Sequence, residues 1–395
     1  MKKIRYCITA IVLLALQTAV FAQKVDVKKA FKHAATQTEL MLKEIEKSAD
    51  PAKPELVSPR TLDNGNLKLV ATRDWTSGFF PGVLWYLDEY YKTDQWKSAA
   101  RKFTTYMEKE KTNGTTHDMG FKVFCSVGNA FRLTGNTHDK EVIIEAAKTL
   151  STRFNPKTGV ILSWDHSRDK WVNPVIIDNM MNLELLFEAT KLTGDSSFYK
   201  IAVSHANTTM KNHFREDFSS YHVVDYDPKT GAIVKKTTHQ GYSNSSAWAR
   251  GQAWGLYGYT LCYRYTKNPI YLKQAENIAK FIFDHPNMPK DLVPYWDFNA
   301  PQIPNEPRDA SAAAVIASGL YELRKYSNQG NDYYKKANQI LKSLSTTYIA
   351  PMGTAKGFIL LHSTGSKPSN SEVDVPISYA DYYYLEALLR YKNSL

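Results

Sequence analysis

One short junction recurs along this chain and limits what it can fold into. Tyr91-Lys-Thr-Asp94 returns as Leu133-Thr-Gly-Asn136, Leu192-Thr-Gly-Asp195, Tyr265-Thr-Lys-Asn268 and Tyr326-Ser-Asn-Gln329. An apolar-rich helical stretch precedes each junction. An amphipathic one follows, opening with Trp96-Lys-Ser, Lys140-Glu-Val, Phe198-Tyr-Lys, Tyr271-Leu-Lys and Tyr333-Tyr-Lys. The turn residues and N-caps are those that helix–turn–helix hairpins need. Their recurrence every roughly 40 to 75 residues marks a repeat architecture. A sixth unit is divided between the two ends of the chain. Ser378 to Tyr391 reads as a first helix, and the amphipathic stretch Val25 to Ser48 supplies its second half. An array whose last unit is completed by its own beginning closes into a ring. The sequence therefore predicts an all-α (α/α)6 toroid, a six-hairpin barrel of six inner and six outer helices.

Inner helices carry small and aromatic residues, as in Phe79-Phe-Pro-Gly-Val-Leu-Trp85 and Ser311-Ala-Ala-Ala-Val-Ile-Ala-Ser-Gly319, which allow close packing. The long connections, 152–177, 214–247, 284–308 and 348–376, all lead into inner helices. Loops of that length inside a compact domain are usually functional, so one rim is the ligand-facing rim. Within one of them, Tyr221 to Val234 reads as a β-hairpin centred on Pro228-Lys-Thr-Gly231.

The N-terminus has the form of a secretory signal: Lys2, Lys3 and Arg5, an apolar run from Ile8 to Leu16, and small residues at Val20-Phe-Ala22. Residues 1–22 are expected to be removed, leaving 23–395 as one catalytic domain, exported and periplasmic. No later stretch is long and apolar enough to span a membrane. Loss of those three cations lowers the formal charge from +11 to +8, which suits an anionic partner. No Lys/Arg cluster sits on a nucleic-acid motif, so nucleic acid is not the expected partner. Cys125 and Cys262 lie in apolar helical stretches and read as buried thiols, not a disulfide. The sequence leaves monomer and homodimer both open.

Each inner helix has polar groups at its start: Asp74-Trp75, His117-Asp118, Asp178, Trp248-Ala-Arg250, Arg308-Asp309 and Asp381. Asp178 follows Val-Ile-Ile, so it is either a helix N-cap or an acid in dry surroundings whose raised pKa lets it keep a proton near neutrality. Taken singly, Asp74, Asp309 and Asp381 read as caps, His222 and His239 as solvated loop residues, and Trp171 and Trp296 as packing. Together, carboxylates, an arginine, indoles and helix N-termini around one basin match a pocket for an acidic sugar: aromatic faces stack on the ring, and Arg can grip a carboxylate in a fork. His33, His117 and His138 have no metal-ligand spacing, and there is neither a phosphate-binding Gly loop nor a Gly-x-Ser-x-Gly elbow. No metal or other cofactor is expected.

These residues also resemble a known family. Trp75-Thr-Ser-Gly-Phe-Phe-Pro-Gly-Val-Leu-Trp85, His117-Asp-Met-Gly-Phe121, Ile177-Asp-Asn-Met-Met-Asn182, His239-Gln-Gly-Tyr242, Trp248-Ala-Arg-Gly-Gln-Ala-Trp254, Pro294-Tyr-Trp-Asp-Phe298, Arg308-Asp-Ala-Ser-Ala-Ala-Ala314 and Asp381-Tyr-Tyr-Tyr look like the unsaturated glucuronyl hydrolases of glycoside hydrolase family 88. The motifs occur in order across nearly all of the mature chain, and the family fold is an (α/α)6 barrel. The resemblance implies removal of a 4,5-unsaturated uronic acid from the non-reducing end of lyase-generated oligosaccharides, by hydration of the C4=C5 vinyl ether. It implies Asp178 as acid/base and Asp118 as the partner that holds sugar hydroxyls and tunes it. Gln240, Arg250 and His222 would position the sugar or its carboxylate. Trp75, Trp164, Trp248 and Trp254 would form walls, and His117 a further contact. In the loop after His362, Ser366 and Lys367 read either as a holder for a sulfate or carboxylate or as a plain surface turn. The stretch Gly241-Tyr-Ser-Asn-Ser-Ser246 departs from the family, which carries more acidic residues ahead of Trp-Ala-Arg. Glycosaminoglycan fragments are the leading substrate. Two alternatives are an unsaturated rhamnogalacturonyl hydrolase acting on pectin and a non-catalytic acidic-glycan-binding protein. The former is disfavoured because that sister family tends to carry Gly-Asn-Gly after the Arg, where this chain has Gly-Gln-Ala.

Overall fold

The computed structural model describes residues 24–395, so the expected leader, 1–22, lies outside the described residues. Among these residues are twelve α-helices and seven short strands. The outer helices are α1 (Val27–Ser48), α3 (Asp94–Met107), α5 (Thr137–Ser151), α7 (Ser196–Asn212), α9 (Pro269–Asp284) and α11 (Gly330–Thr346). Each buries a single stripe, as in α3, where Trp96, Ala100, Phe103, Thr104 and Met107 face inward. The inner helices are α2 (Phe79–Tyr91), α4 (Asn129–Thr134), α6 (Leu183–Thr193), α8 (Ala249–Thr266), α10 (Ala310–Leu323) and α12 (Ser378–Lys392). These are on the whole more deeply buried: every residue of α10 is buried, whereas α4 buries only Asn129 and Ala130. Two of them have tighter or looser first turns, a π-helical Gly120–Gly128 ahead of α4 and a 3-10 turn Ile177–Asn182 ahead of α6.

Neighbour relations follow chain order. Helix α2 packs on Gly120–Gly128, that segment on α6, α6 on α8, α8 on α10, α10 on α12, and α12 back on α2. Each outer helix lies against the inner helix before it, and α1 lies against both α12 and α2. The recurring junctions work as their residues predict: Asn136, Asp195 and Asn268 accept from the N–H two residues on, and Gly135 and Gly194 end α4 and α6 in left-handed conformations.

Strands lie on the loop-rich side. The expected hairpin is present as β6 (Val223–Tyr226) and β7 (Ile233–Thr237), joined by β5 (Pro174–Ile176) into a three-stranded antiparallel sheet. A second hairpin, β1 (Leu56–Asp63) with β2 (Asn66–Ala71), turns at Asn64-Gly65, both with positive φ. The sequence reading missed it. The remaining pair, β3 (Phe154–Asn155) and β4 (Val160–Ile161), is two residues per strand.

Candidate active site

Asp178 owes its place to the sheet. Strand β5 pairs with β6 (Val175 with Val224), and the Ile177 N–H donates to the His222 carbonyl at 3.1 Å. The chain then leaves the sheet directly into the turn Ile177–Asn182. Ile176 occupies the cap position and no side chain caps this turn, so the capping role open to Asp178 is not the one it has. Its side chain is 9% exposed, and among the described residues Oδ2 has no hydrogen-bond partner. Burial pushes its pKa up from 3.8 to about 7; Arg250 opposes the shift and the charge of Asp118 adds to it. Asp178 therefore holds its proton for a large part of the time at neutral pH.

Two buried histidines face the two acids, and backbone donors fix the tautomer of one of them, His222. The His222 Nδ1 accepts from the backbone N–H groups of His239 and Gln240, both at 3.1 Å. The ring proton therefore sits on Nε2, which lies 3.7 Å from Asp178 Oδ2. Burial drives the His222 imidazole well below its ordinary pKa, so it stays neutral. Far from being a solvated loop residue, His222 is 2% exposed, with the Trp248 ring at 4.6 Å. His117 stands against the other acid. Ser163 Oγ accepts from the Ile176 N–H and lies 3.4 Å from His117 Nδ1. The His117 Nε2 lies 3.2 Å from Asp118 Oδ1, and burial lowers the His117 pKa against the pull of Asp118.

Asp118 is held by Thr116, whose hydroxyl donates to Oδ2 at 2.7 Å while accepting the Asp118 N–H at 3.1 Å. The segments carrying the two acids are locked together. The Phe121 N–H donates to Asn182 Oδ1 at 3.1 Å. Gly120 lies so close that a Cβ there would stand 2.7 Å from Asn182 Cα.

Arg250 is almost wholly buried, but its fork is not open. Nη1 donates to Asp309 Oδ2 at 2.8 Å and to the Thr364 carbonyl at 2.5 Å, and Nη2 to the Gly365 carbonyl at 2.7 Å. Among the described residues Nε has no partner. The Gln240 amide also donates to the Gly365 carbonyl, at 3.0 Å. Arg250 and Gln240 thus anchor the loop that bears Ser366 and Lys367. The other end of that loop is held by Arg60, whose Nε and Nη2 take Glu372 in two bonds of 2.5 and 2.9 Å and whose Nη1 takes Asp74 at 2.6 Å. Ser366 pairs with Ser371 across the loop, and Lys367 is half-buried, with no ion pair among the described residues.

Among the indoles, Trp248 and Trp254 are buried, whereas Trp75 and Trp164 are half-buried. Trp75 packs on Tyr379 (5.0 Å) and Phe121 (5.5 Å), and Phe121 on Trp254 (5.2 Å). Trp164 lies 6.2 Å from His222 and 5.3 Å from His239, on the sheet side. Trp171 and Trp296 are buried, and Cys125 and Cys262 are buried free thiols.

Three carboxylates sort differently. Asp309 caps α10 through the N–H groups of Ser311 and Ala312 while holding Arg250. Asp74 caps no helix; it closes a turn on Thr76 and binds Arg60. Asp381 lies inside α12 and accepts the N–H groups of Ile359 and Leu360, with its pKa pushed to about 7 by burial. Sequence reasoning missed Arg60, Glu372 and Tyr379; the Asn64-Gly65 turn was the available signal for the hairpin that carries Arg60. Among the described residues no group of three or more His, Cys, Asp or Glu stands ready for a metal ion. A cavity of about 450 Å³, lined by Glu184, Tyr257, Arg264, Glu386 and Arg390, lies at the other ends of the inner helices and touches neither acid.

A protonatable carboxyl kept dry beside a second carboxylate, with aromatic faces and neutral imidazoles around it, is machinery for acid–base chemistry on a sugar, and the scaffold is that of a glycoside hydrolase. Comparison with known proteins makes the assignment specific. Residues 53–392 match the model of Glycosyl Hydrolase Family 88, and the chain belongs to that family. It is 54% identical over 326 residues to the unsaturated glucuronyl hydrolase of Formosa agariphila, covering 82% of this chain and 81% of that one. It is 34% identical over 358 residues to the unsaturated chondroitin disaccharide hydrolase of Streptococcus pneumoniae, covering 89% and 90%. The crystal structure of an unsaturated glucuronyl hydrolase specific for heparin superposes with a TM-score of 0.88 at 46% identity, over 93% of this chain and 97% of that one.

Proposed function

We propose that this enzyme removes the 4,5-unsaturated uronic acid from the non-reducing end of glycosaminoglycan oligosaccharides left by lyases. The vinyl ether is hydrated: a proton goes to C4, water adds at C5, the resulting hemiketal opens at the ring oxygen to a C5 ketone, and the hemiacetal this leaves at C1 collapses to an aldehyde, breaking the glycosidic bond and releasing a keto sugar. Asp178 is the group that gives the proton to C4 and then takes one from the attacking water. The observation that carries this reading is geometric: among the described residues the buried Asp178 Oδ2 has no hydrogen-bond partner and stands 3.7 Å from His222 Nε2, and the burial that raises its pKa suits a group that both gives and takes a proton near neutrality. Asp118 raises that pKa by its charge and receives sugar hydroxyls. The neutral His117 and His222 offer N–H donors beside them. Trp75, Trp164, Trp248 and Trp254 shape the walls, and Ser366 and Lys367 stand at the edge, where a sulfate or second carboxylate would lie. Arg250, its fork engaged by Asp309 and two carbonyls, supplies positive charge and holds the loop in place.

The closed order of neighbours from α2 through α12 supports an (α/α)6 toroid, formed by residues 23–395 as one domain. Residues 1–22 have the composition of a signal peptide, and we infer export to the periplasm. Incubating the protein with lyase digests of chondroitin, heparin, hyaluronan and pectin tests the activity, because hydration removes the ultraviolet absorbance of the conjugated double bond. Bleaching of a glycosaminoglycan digest is expected. Bleaching of the pectin digest alone would move the enzyme to rhamnogalacturonan, and tight binding without bleaching would make it a binding protein.

A further inference from the structure

Glu110, which no sequence motif singled out, sits where the segments around Asp118 cross. It is 2% exposed. Oε1 accepts from Thr72 Oγ1 at 2.7 Å. Oε2 accepts from Asn113 Nδ2 at 2.7 Å and from Lys122 Nζ at 2.9 Å. Lys122 is fully buried, and among the described residues Glu110 is its only ion-pair partner. Burial opposes the charge on Glu110, but Lys122, Asn113 and Thr72 outweigh it and hold the carboxyl below its ordinary pKa.

These partners lie on both sides of Asp118. Upstream, Asn113 Oδ1 accepts the N–H and the hydroxyl of Thr115, at 3.2 and 2.7 Å, and Thr116 next to it holds the Asp118 carboxylate. Downstream, the Lys122 N–H donates to the Asp118 carbonyl at 2.9 Å. Thr72 precedes the Asp74-Trp75 pair. One carboxylate oxygen therefore grips the chain before and after Asp118, and the other grips the entry to Trp75.

We propose that Glu110 is a positioning residue for the acid pair: its hold on Asn113 and Lys122 sets where the Asp118 carboxylate stands relative to Asp178. For its catalytic consequence the inference rests on the function proposed above; for its geometry it does not. Stability alone is a poor reason for such a pair, since desolvation of two buried charges cancels much of their attraction.

The test is the double variant Glu110→Gln/Lys122→Met, which removes both charges and leaves no orphaned ammonium. The groups that face Asp178 are Asp118, Arg250, Trp254 and His222, and those near Asp118 are His117 and, beyond it, Arg153 and Lys122 itself. Of these, apart from the replaced Lys122, only Asp118 is expected to move. The Asp178 carboxyl is titrated by carbon-13 NMR, and kcat/KM is measured against pH on an unsaturated disaccharide. We expect a folded protein, kcat/KM reduced ten-fold or more, and Asp178 titrating at lower pH because the like charge has moved away. The alkaline limb of the rate profile should shift the same way. Asn113→Ala, which leaves the ion pair intact, should show a smaller shift of the same sign and decides the matter if the double variant does not fold. An unmoved Asp178 titration in a folded variant overturns the proposal, whatever happens to rate or melting temperature. Should the wild type bleach no unsaturated substrate, the functional reading fails, while the NMR titration still decides this one.

Discussion

Asp178→Asn is expected to abolish activity and to stabilise the fold, the second effect growing with pH. The carboxyl has a pKa of about 7 in the folded protein against an ordinary 3.8. Below the lower value both folded and unfolded chains carry the proton, and the group contributes no difference. Between the two values the unfolded chain has lost its proton and the folded one has kept it, so stability falls as pH rises, by about 1.4 kcal/mol per unit. Above the upper value both are ionised and the deficit is constant, at about 4 kcal/mol. Asn carries no proton and has no such deficit. Between about pH 5 and about pH 8 the advantage of the variant should therefore widen by about 2.5 kcal/mol. Urea unfolding of both proteins at the two pH values measures it, with bleaching of the unsaturated substrate followed in parallel. An advantage that stays flat or narrows with pH would refute the claim that Asp178 is a dry acid, even if the variant is inactive.

Because the donor must be protonated, wild-type kcat/KM should fall as pH rises through about 7; a limb two units higher would point to another acid. His222→Phe leaves the N–H groups of His239 and Gln240 without their acceptor, and steady-state kinetics should show kcat/KM down by about 10- to 100-fold. Wild-type kinetics would remove His222 from the site. Arg60→Met frees Glu372 and Asp74 together, so KM should rise several-fold with kcat largely kept; an unchanged KM would show that the Ser366–Lys367 loop needs no such tether. Burial pushes the thiols of Cys125 and Cys262 far above their ordinary pKa, so a thiol reagent should label neither in the native protein and both in denaturant.

The parts of this structure that were legible in the sequence are those set by local chemistry. Asn136, Asp195 and Asn268 announce helix starts because a short side chain accepts a nearby N–H, and repetition of that signal gave the helical hairpins. Asp178 was recognisable as a special acid because three apolar residues precede it. What could not be read depends on partners far along the chain. The burial of His222 follows from β5 pairing with β6, some fifty positions apart. Arg250 looked like an open fork because Asp309, Thr364 and Gly365, which close it, lie 59 to 115 residues away. The β1–β2 hairpin is a different case: Asn64-Gly65 stood in plain view between alternating residues and was passed over. The π-helical turns at Gly120–Gly128 leave no mark in periodicity, since one extra residue per turn is lost within an apolar run.

Helix α12, the last 15-residue helix of the chain, is wedged between α10 and α2 and also touches α1. Of the twelve described helices it is the last to be made, and it is the one that covers α2 and α10 together. Until it arrives, the apolar flanks of α2 and α10 have no cover, and a nascent molecule lacking it should remain open and prone to clump.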